Sequence, residues 1–402
     1  MKRLDLIFIL LIYPLAGQTS YYSSYGFGMS SPAVSVRHLA LGQTGVAIPD
    51  SISLNRSNPA LWSGFITTSI QGQLGLSTFN TSAGMPGSAL SQFLGFSFKF
   101  PVGKEMGFAM GVTPYSRMKG EISYTDSVDF YGESVTCFSD VDVEGGISEF
   151  FIGSGYRLGK RLGVGMKTRL FFGTYLTRME TDIDGGKTKS YYRKYAGIEG
   201  VQLELGTYWI NSARNFEVGG SYSPNLKFNH YNYYDYYFGD DTTTADRAIQ
   251  FPTTFQLGLR KKMSGGTLAL SADLAYSIVQ STLFEDFYVV NPSAAQNPFY
   301  IGIGLEKLPS QKVYSSYWQR LSWRAGAFYR TEAVYQSTGL SELGVSCGAG
   351  IPFNRNFNRI DLAVVAAVRD GFLGDTIGKE RVLSFYVGVT AGELWFRRIK
   401  RF

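Results

Sequence analysis

Apolar and polar side chains alternate with a period of two along the C-terminal part of the chain. Residues 383–390 place Leu, Phe, Val and Val at every second position, with Ser, Tyr, Gly and Thr between them. Residues 360–369 and 342–351 repeat this pattern. Successive side chains of a strand point to opposite faces, so each segment has one apolar face and one small, polar or charged face. Two structures fit: a soluble sandwich with the apolar face inside, and a membrane barrel with that face towards lipid.

Alternation and turn residues together predict about fourteen strands. The predicted strands are 65–79, 90–101, 106–117, 147–158, 162–179, 193–210, 215–228, 249–261, 267–282, 299–308, 320–331, 340–351, 358–369 and 381–396. An even number of strands is typical of bacterial outer-membrane barrels.

The lengths of the predicted connections distinguish the two structures. Connections after even-numbered strands are mostly short (102–105, 159–161, 211–214, 262–266 and 352–357), although 309–319 is longer. Connections after odd-numbered strands are mostly long (118–146, 229–248, 283–298 and 370–380). Outer-membrane barrels have short periplasmic turns and long outer loops, whereas a sandwich has no reason to sort its loops in this way. The predicted fold class is therefore all-β, a transmembrane antiparallel β-barrel in the bacterial outer membrane.

The alternation also assigns side chains to lipid or lumen. Apolar residues such as Met166, Phe172 and Leu270 are predicted to face lipid. The residues predicted to face the lumen include Lys99, Arg157, Lys167, Arg169, Glu204, Glu217, Arg260, Asp273, Glu306, Arg324, Arg330, Glu342, Asp361 and Arg369. Acids and bases are nearly balanced in this set, which favours a structural network inside the barrel over a charge-selective pore.

The N-terminal part does not follow the barrel pattern. Residues 1–18 have the features of a signal peptide: Lys2 and Arg3, a short apolar stretch, and small residues at Ala16 and Gly17. Residues 19–64 are too long for a plain tail and hold apolar residues without sustained alternation. We expect this segment to fold inside the lumen as a plug, and residues 65–402 to form the barrel.

Residues 37–62 read RHLALGQTGVAIPDSISLNRSNPALW. This stretch resembles the N-terminal plug of the FadL/TodX family of outer-membrane transport proteins, in which an Asn-Pro-Ala motif directly precedes the first strand. Here the motif is Asn58-Pro59-Ala60. Proline fixes its own φ and favours an extended residue before it, so the motif predicts a turn that directs the plug into the barrel.

The resemblance implies a plug that occludes the lumen, a hydrophobic ligand pocket and a lateral exit through strand three. The plug and ligand residues that it points to are Val36, Leu39, Leu41, Asn58, Pro59 and Ala60. The residues that it points to for the lateral gate are Gly107, Ala109, Gly111 and Pro114. Two alternatives stay open: Pro114 ends the strand near the outer rim, and the wall glycines leave room for the plug.

No sequence motif indicates catalysis or a cofactor. There is no GxGxxG, P-loop, HExxH or CxxC motif, and the chain has only two histidines. We therefore predict no enzyme activity, no cofactor and no metal site. The formal charge of +6 arises partly from residues 397–401, which suits anionic headgroups, and nothing else suggests nucleic-acid binding. The tyrosine-rich stretch 230–246 is either a recognition surface or an extension of the aromatic girdle.

Two functions remain open. The first is passive uptake of hydrophobic small molecules, such as long-chain fatty acids or aromatic hydrocarbons, through a plugged channel. The second is a protein-interaction barrel, because the resemblance extends to relatives that take part in type IX secretion. The expected partners are outer-membrane lipids and lipopolysaccharide, a hydrophobic ligand, and secretion or surface proteins.

Overall fold

The computed structural model describes most of the chain after residue 19. The described residues are 20–24, 28–31, 34–84, 86–130, 133–183, 188–225, 227–236, 242–279, 297–310, 314–332, 339–353 and 358–393. The predicted signal peptide, residues 1–18, lies outside them, as do the predicted end of the last strand and most of the predicted connection 283–298.

Strands dominate the described residues. In chain order the strands are β1 Met29–Ser30, β2 Thr68–Thr81, β3 Ser88–Val102, β4 Met106–Phe130, β5 Glu133–Leu158, β6 Leu162–Ile183, β7 Thr188–Asn211, β8 Phe216–Ser223, β9 Lys227–Tyr236, β10 Thr242–Gln250, β11 Thr253–Met263, β12 Leu268–Ile278, β13 Phe299–Lys307, β14 Ser322–Glu332, β15 Leu340–Phe353, β16 Asn358–Asp370 and β17 Glu380–Glu393. The short α-helices are α1 Val36–Leu39, α2 Tyr317–Arg320 and α3 Gly374–Ile377, and 3-10 helices cover Tyr21–Ser24, Pro59–Gly64, Ser212–Arg214 and Ser264–Gly266. Among the residues just defined, no helix is long and apolar enough to cross a bilayer.

The sheet closes on itself. From β2 to β8 each strand pairs antiparallel with the next, β8 pairs with β11, and the pairing continues to β17. Strand β17 pairs with β2, which closes the ring. Strand β9 continues the line of β8 beyond a break at Pro224, and β10 continues the line of β11 beyond a break at Pro252. Strand β9 pairs with β10 on one side and with β7 on the other. The predicted antiparallel barrel of 14 strands is therefore confirmed.

The barrel is taller on one side. A strand of about 9–11 residues is enough to cross a bilayer, whereas β4 has 25 residues and β5 has 26. The prediction of a loop at 118–146 is therefore wrong, because β4 and β5 run through almost all of it. The predicted connection 229–248 likewise contains most of β9 and most of β10. In both stretches β-favouring residues continue while polar residues occupy both faces, so the alternation that marks membrane strands is lost.

The two faces of the wall agree with the alternation. Met166, Phe172 and Leu270 are about half exposed on the outer face, at 50%, 49% and 47%. Charged residues on the opposite face, such as Glu306 and Asp361, are buried. The lumen therefore holds the polar side chains, and the apolar face points outward, as in a membrane barrel.

Candidate functional site: the lumenal segment and the wall opening beside it

Residues 34–64, here called the lumenal segment, lie inside the barrel and contact its wall on all sides. Wall glycines let the backbone of the segment come close, because a Cβ atom at these positions would meet segment atoms. These glycines are Gly107, Gly155, Gly165, Gly206, Gly219, Gly258, Gly304, Gly326 and Gly388. They come from nine different strands, so the segment is surrounded by wall.

The residues predicted for the plug are all buried in this segment. Val36 and Leu39 pack in an apolar cluster with wall residues that include Phe328, Val365 and Tyr386. The remaining four are Leu41, Asn58, Pro59 and Ala60. All of them contact protein groups, so their direct role in this structure is to pack the segment against the wall.

Asn58 fixes the turn at the end of the segment. Its backbone is extended, at φ −152° and ψ 113°, as expected before proline, and Pro59 begins the 3-10 helix. Its side-chain oxygen accepts a hydrogen bond from the N–H of Ala60 at 3.0 Å. Its amide nitrogen donates to Val46 O at 2.9 Å and to Thr207 O at 2.8 Å. One side chain thus caps the helix, closes the segment on itself and ties it to β7.

A closed ring of alternating buried charges joins the segment to three strands. It runs Arg37–Asp50–Arg359–Asp361–Arg324–Glu306 and back to Arg37. The nitrogen–oxygen distances are 2.9, 2.6, 2.7, 2.6, 3.0 and 2.7 Å in that order. Each of the six side chains is at most 8% exposed. Every guanidinium therefore has two carboxylates, and every carboxylate has two guanidiniums, which is the condition under which buried charges are tolerated.

The ring extends into a branch along the wall. Glu306 also accepts from Arg260 at 3.3 Å, Arg260 contacts Glu217 at 3.2 Å, and Glu217 contacts Lys262 at 2.8 Å. The sequence placed Glu306, Arg260 and Glu217 in the lumen but assigned no charged role to Arg37 or Asp50. The structural network expected inside the barrel is thus centred on two residues of the segment.

The protonation states of the segment suit this arrangement. Burial alone would raise the pKa of Asp50, but the guanidiniums of Arg359 and Arg37 outweigh it and hold that pKa well below 3.8. Burial, and next the Arg37 cation, lowers the pKa of His38 to about 3. His38 is therefore neutral, with its ring nitrogens 2.7 Å from Ser35 Oγ and 3.3 Å from Asn55 Nδ2.

Other wall side chains hydrogen-bond the backbone of the segment. Asp273 accepts from the N–H groups of Gly45 at 2.6 Å and Val46 at 2.8 Å. Lys99 donates to Ser51 O at 2.9 Å, and Lys167 donates to Arg56 O at 2.9 Å. The polar lumen face thus replaces the backbone bonds that an irregular segment cannot make to itself.

Two cavities flank the lumenal segment. The larger, about 1180 Å³, lies on the side of the short turns. The smaller, about 80 Å³, lies in the outer half of the lumen. The two have no lining residue in common. The segment therefore separates them.

The wall opens beside the smaller cavity. The ladder between β3 and β4 ends at Phe96 and Val112. Beyond this point β3 continues to pair with β2, and β4 continues to pair with β5, but β3 and β4 no longer pair with each other. The separation begins where β3 has a bulge at Leu94, whose buried side chain points into the lumen. The outer half of the barrel thus has a break in its hydrogen bonding at the third barrel strand.

The predicted gate residues divide between the closed and open parts of this seam. Gly107, Ala109 and Gly111 lie in the paired part. Gly107 adjoins Trp62 and Phe65, and Gly111 adjoins Phe151, so small residues here accommodate buried aromatic rings. Pro114 lies two residues beyond the last pair. The alternative that Pro114 ends the strand is wrong, because β4 continues to Phe130.

The N-terminal arm, residues 20–24 and 28–31, covers the opening from inside. Strand β1 pairs with the free edge of β4, with Met29 opposite Arg117 and Ser30 opposite Ser116. Ser31 N–H donates to Tyr115 O at 2.8 Å. Arg117 spans the break by donating to Phe93 O at 3.0 Å. The sequence did not single out β1 or Arg117, because their contacts depend on where β3 leaves β4.

The arm is held at its start by a second charge cluster. Ser20 Oγ donates to Glu380 at 2.7 Å, and Arg369 contacts both Glu380 at 3.0 Å and Glu342 at 2.7 Å. Arg330 contacts Glu342 at 2.9 Å.

In the described part of the chain no group of His, Cys, Asp and Glu has the composition of a metal site.

A closed antiparallel barrel with an apolar outer face, a polar lumen and an internal N-terminal segment defines an outer-membrane β-barrel protein. The BamG family model matches residues 2–401, and the chain belongs to this family. No curated protein matched the sequence.

Solved structures share this fold at low sequence identity. A FadL homologue from Pseudomonas aeruginosa aligns with a TM-score of 0.65 and 11% identity, over 92% of this chain and 100% of that chain. The CymD monoaromatic hydrocarbon channel aligns with a TM-score of 0.55 and 12% identity, over 93% and 100%. The toluene transporter TodX from P. putida aligns with a TM-score of 0.54 and 14% identity, over 94% and 100%. The resemblance to a FadL-type barrel is therefore confirmed.

Proposed function

We propose that this protein takes up hydrophobic small molecules across the outer membrane by a path that leaves the barrel between β3 and β4. The observation that carries the proposal is the break in this seam, which adjoins a lumenal cavity. The similar folds of proteins described as a monoaromatic hydrocarbon channel and a toluene transporter support it.

An axial route is disfavoured by the lumenal segment. The segment lies between the two cavities and is fixed by the ion-pair ring and by several wall hydrogen bonds. We assign it the role of a plug, which leaves the seam as the outlet for a ligand that enters from outside. A hydrophobic ligand that leaves sideways passes directly into the apolar part of the bilayer.

The chemistry of the smaller cavity suits an amphiphilic ligand. Phe79, Leu90 and Val382 supply apolar surface, and Arg117, which forms no ion pair with a carboxylate among the described residues, lies in the same lining. Burial of a hydrocarbon chain would contribute about 25 cal/mol per Å², and a guanidinium would bind a carboxylate. We therefore favour ligands of the long-chain fatty-acid class.

The cavity is too small for such a ligand as it stands. Pockets for small molecules measure about 300–1,000 Å³, against about 80 Å³ here. Met29 and Ser30 line the cavity and belong to the arm. Uptake therefore requires the arm to move away from β4, which enlarges the cavity and clears the seam.

A disulfide between Ser30→Cys and Ser116→Cys is expected to stop uptake. These residues are directly opposite in an antiparallel pair, at a separation that a disulfide can bridge. The native cysteines Cys137 and Cys347 are unpaired and would first be replaced by serine and alanine. Uptake of a fluorescent fatty acid into proteoliposomes would be measured before and after reduction, and reduction should restore it at least about tenfold.

A second engineered disulfide, placed between two strands that pair along their length, controls for the effect of the cross-link itself. Thr254 and Ser277 face each other across β11 and β12, with their hydroxyls 2.9 Å apart. The Thr254→Cys/Ser277→Cys pair should leave uptake unchanged. Uptake that is equally fast through the oxidised Ser30→Cys/Ser116→Cys protein would refute the lateral path.

A second candidate function, a protein-interaction barrel, is favoured by the tall side of the wall. On β7 and β9 the exposed rings of Tyr195, Tyr231 and Tyr233 share one face, with Tyr195 and Tyr233 5.9 Å apart. Tyrosine is enriched in protein interfaces because it combines apolar area with a polar group.

Replacing Tyr195 and Tyr233 by alanine would test this candidate. If the face binds a protein partner, the double variant should lose a stoichiometric companion that native mass spectrometry detects with the wild type, since a tyrosine that is an interface hot spot contributes about 2 kcal/mol or more. Tyr329→Ala is the control, because Tyr329 is similarly exposed, at 39%, but lies on β14, outside this face. A companion retained equally by both variants would exclude this face as the interface.

A further inference from the structure

The larger cavity, about 1180 Å³ on the side of the short turns, carries an excess of positive charge. We call it the vestibule. Ten of its lining residues are Arg or Lys and three are Asp or Glu, a difference of seven charges. The uptake path proposed above does not use the vestibule, so this charge needs its own explanation.

The deep cations of the vestibule are neutralised. Arg37, Arg324 and Arg359 belong to the ion-pair ring, and Arg260 and Lys262 belong to its branch. Their carboxylate partners include Asp361, which does not line the cavity. The deep end of the vestibule therefore provides little net charge for a ligand.

The unpaired positive charges of the vestibule lie at its rim. Arg157, Lys160 and Arg161 contact no carboxylate among the residues that the structure describes, and their side chains are exposed. Lys307 lies on the outer face of β13, opposite Trp323 and Leu268. Arg157 is the penultimate residue of β5, and Lys160 and Arg161 lie in the β5–β6 turn. Unpaired cations around a concave opening attract anionic groups and repel cationic ones.

The vestibule is much wider than a single small anion. From β6 to β13 the wall makes five steps between neighbouring strands, each of about 4.8 Å. A phosphate ion at the β5–β6 turn therefore cannot also reach the β13 side of the vestibule. An extended peptide advances about 3.3 Å per residue and can reach both sides. Leu61, Ile210 and Leu308 also line the vestibule and offer apolar contacts to its side chains.

We propose that the vestibule is a docking site for an extended acidic peptide segment of a periplasmic protein. The carboxylates of the segment would pair with Arg157, Lys160 and Arg161, and its apolar side chains would contact the floor. The site faces the short-turn side, which is the periplasmic side in outer-membrane barrels. It is separated from the lateral seam by the lumenal segment, so peptide binding and uptake would be independent activities.

The test uses the full-length protein in nanodiscs of zwitterionic lipid, so that the bilayer adds no net charge. Fluorescence anisotropy would follow a labelled peptide of alternating Glu and Leu, and a Lys–Leu peptide of equal length would serve as the comparison. We expect the acidic peptide to bind and the basic one not to bind. Binding should weaken as salt is raised, because exposed charges are screened.

The double variant Lys160→Glu/Arg161→Glu should weaken binding of the acidic peptide by at least about tenfold. Lys104→Glu is the matched control, since Lys104 is exposed on the β3–β4 turn, on the same side of the membrane but outside the vestibule. Mobility on an SDS gel with and without heating would confirm that both variants are folded.

Three results would overturn the proposal. They are equal binding of the Lys–Leu peptide, an unchanged affinity in the double variant, and displacement of the peptide by inorganic phosphate or a free fatty acid at similar concentrations. The last result would assign the rim to a small anion or to an anionic amphiphile. Fatty-acid uptake by the double variant should match the wild type, so failure of the lateral path and failure of the vestibule proposal would be distinguishable.

Discussion

Replacement of Glu306 by alanine is expected to loosen the lumenal segment and to lower the free energy of unfolding by about 3 kcal/mol. Glu306 accepts hydrogen bonds from Arg37 at 3.0 and 2.7 Å, from Arg324 at 3.0 Å and from Arg260 at 3.3 Å. Its removal opens the ring and leaves three buried guanidiniums with one carboxylate fewer.

The expected loss of unfolding free energy depends on which carboxylates the three guanidiniums keep in the Glu306→Ala protein. Breaking a buried ion pair by removing one partner typically costs about 3–5 kcal/mol. Arg37 retains Asp50, Arg324 retains Asp361, and Arg260 retains Glu217, so the lower end of this range applies. Glu306→Gln keeps the shape and should fall between the wild type and Glu306→Ala.

Urea unfolding in detergent micelles would measure the free energy, and limited proteolysis would report release of the segment. Asp182→Ala is the control, because the Asp182–Lys189 pair at 3.4 Å is exposed and such pairs contribute about 0–1 kcal/mol. Equal shifts for Glu306→Ala and Asp182→Ala would show that the ring does not hold the segment.

Replacement of Gly165 by valine is expected to displace the Asn58-Pro59-Ala60 motif and to open a conducting path through the barrel. A Cβ atom on Gly165 would overlap the carbonyl carbon of Pro59 and the nitrogen of Ala60. Both are backbone atoms and cannot rotate away. The 3-10 helix Pro59–Gly64 must therefore move off β6, which would break the hydrogen bond from Asn58 to Thr207 O.

This substitution separates packing of the segment from stability of the strand. Valine favours β-strands, so the local effect on β6 is favourable and any loss must come from the segment. We expect a loss of about 3 kcal/mol, at the upper end for overpacking. Gly72→Val on β2 is the control, because nothing lies within 4 Å of a Cβ atom there.

Planar bilayer recordings would measure the opening. The Gly165→Val protein should give conductance steps that the wild type and Gly72→Val lack. Indistinguishable recordings from all three proteins would contradict the role of the segment as a plug.

The prediction from sequence succeeded where one strand and its environment suffice. Met166 and Leu270 face outward and Glu306 faces inward because a strand between lipid and lumen must alternate, and this is visible in any short window. Asn58 is extended because Pro59 follows it. The same dependence on alternation explains the failure at 118–146, where β4 and β5 have left the membrane and neither face needs to be apolar.

The contacts that define the site cannot be predicted from a short window of sequence, because they join residues that are far apart in the chain. Arg37 and Glu306 are 269 residues apart, and Asp50 and Arg359 are 309 apart. Alternation predicted that Glu306 and Asp361 face the lumen. It did not show which of the many lumenal charges pair with each other. The small residues of strand three were predicted to form a gate, yet Gly107 and Gly111 lie in the paired part of the seam.

By itself, the sequence of this protein determined a membrane barrel, the sidedness of its strands and the presence of an N-terminal segment that does not belong to the wall. These properties follow from local periodicity and from proline and glycine chemistry. Only the tertiary structure decided that Arg37 and Asp50 complete a ring of charges, that β3 leaves β4 after Phe96, and that the arm covers the break. Closure of the barrel sets these distances, because it brings distant strands around one short segment whose own sequence does not specify its neighbours.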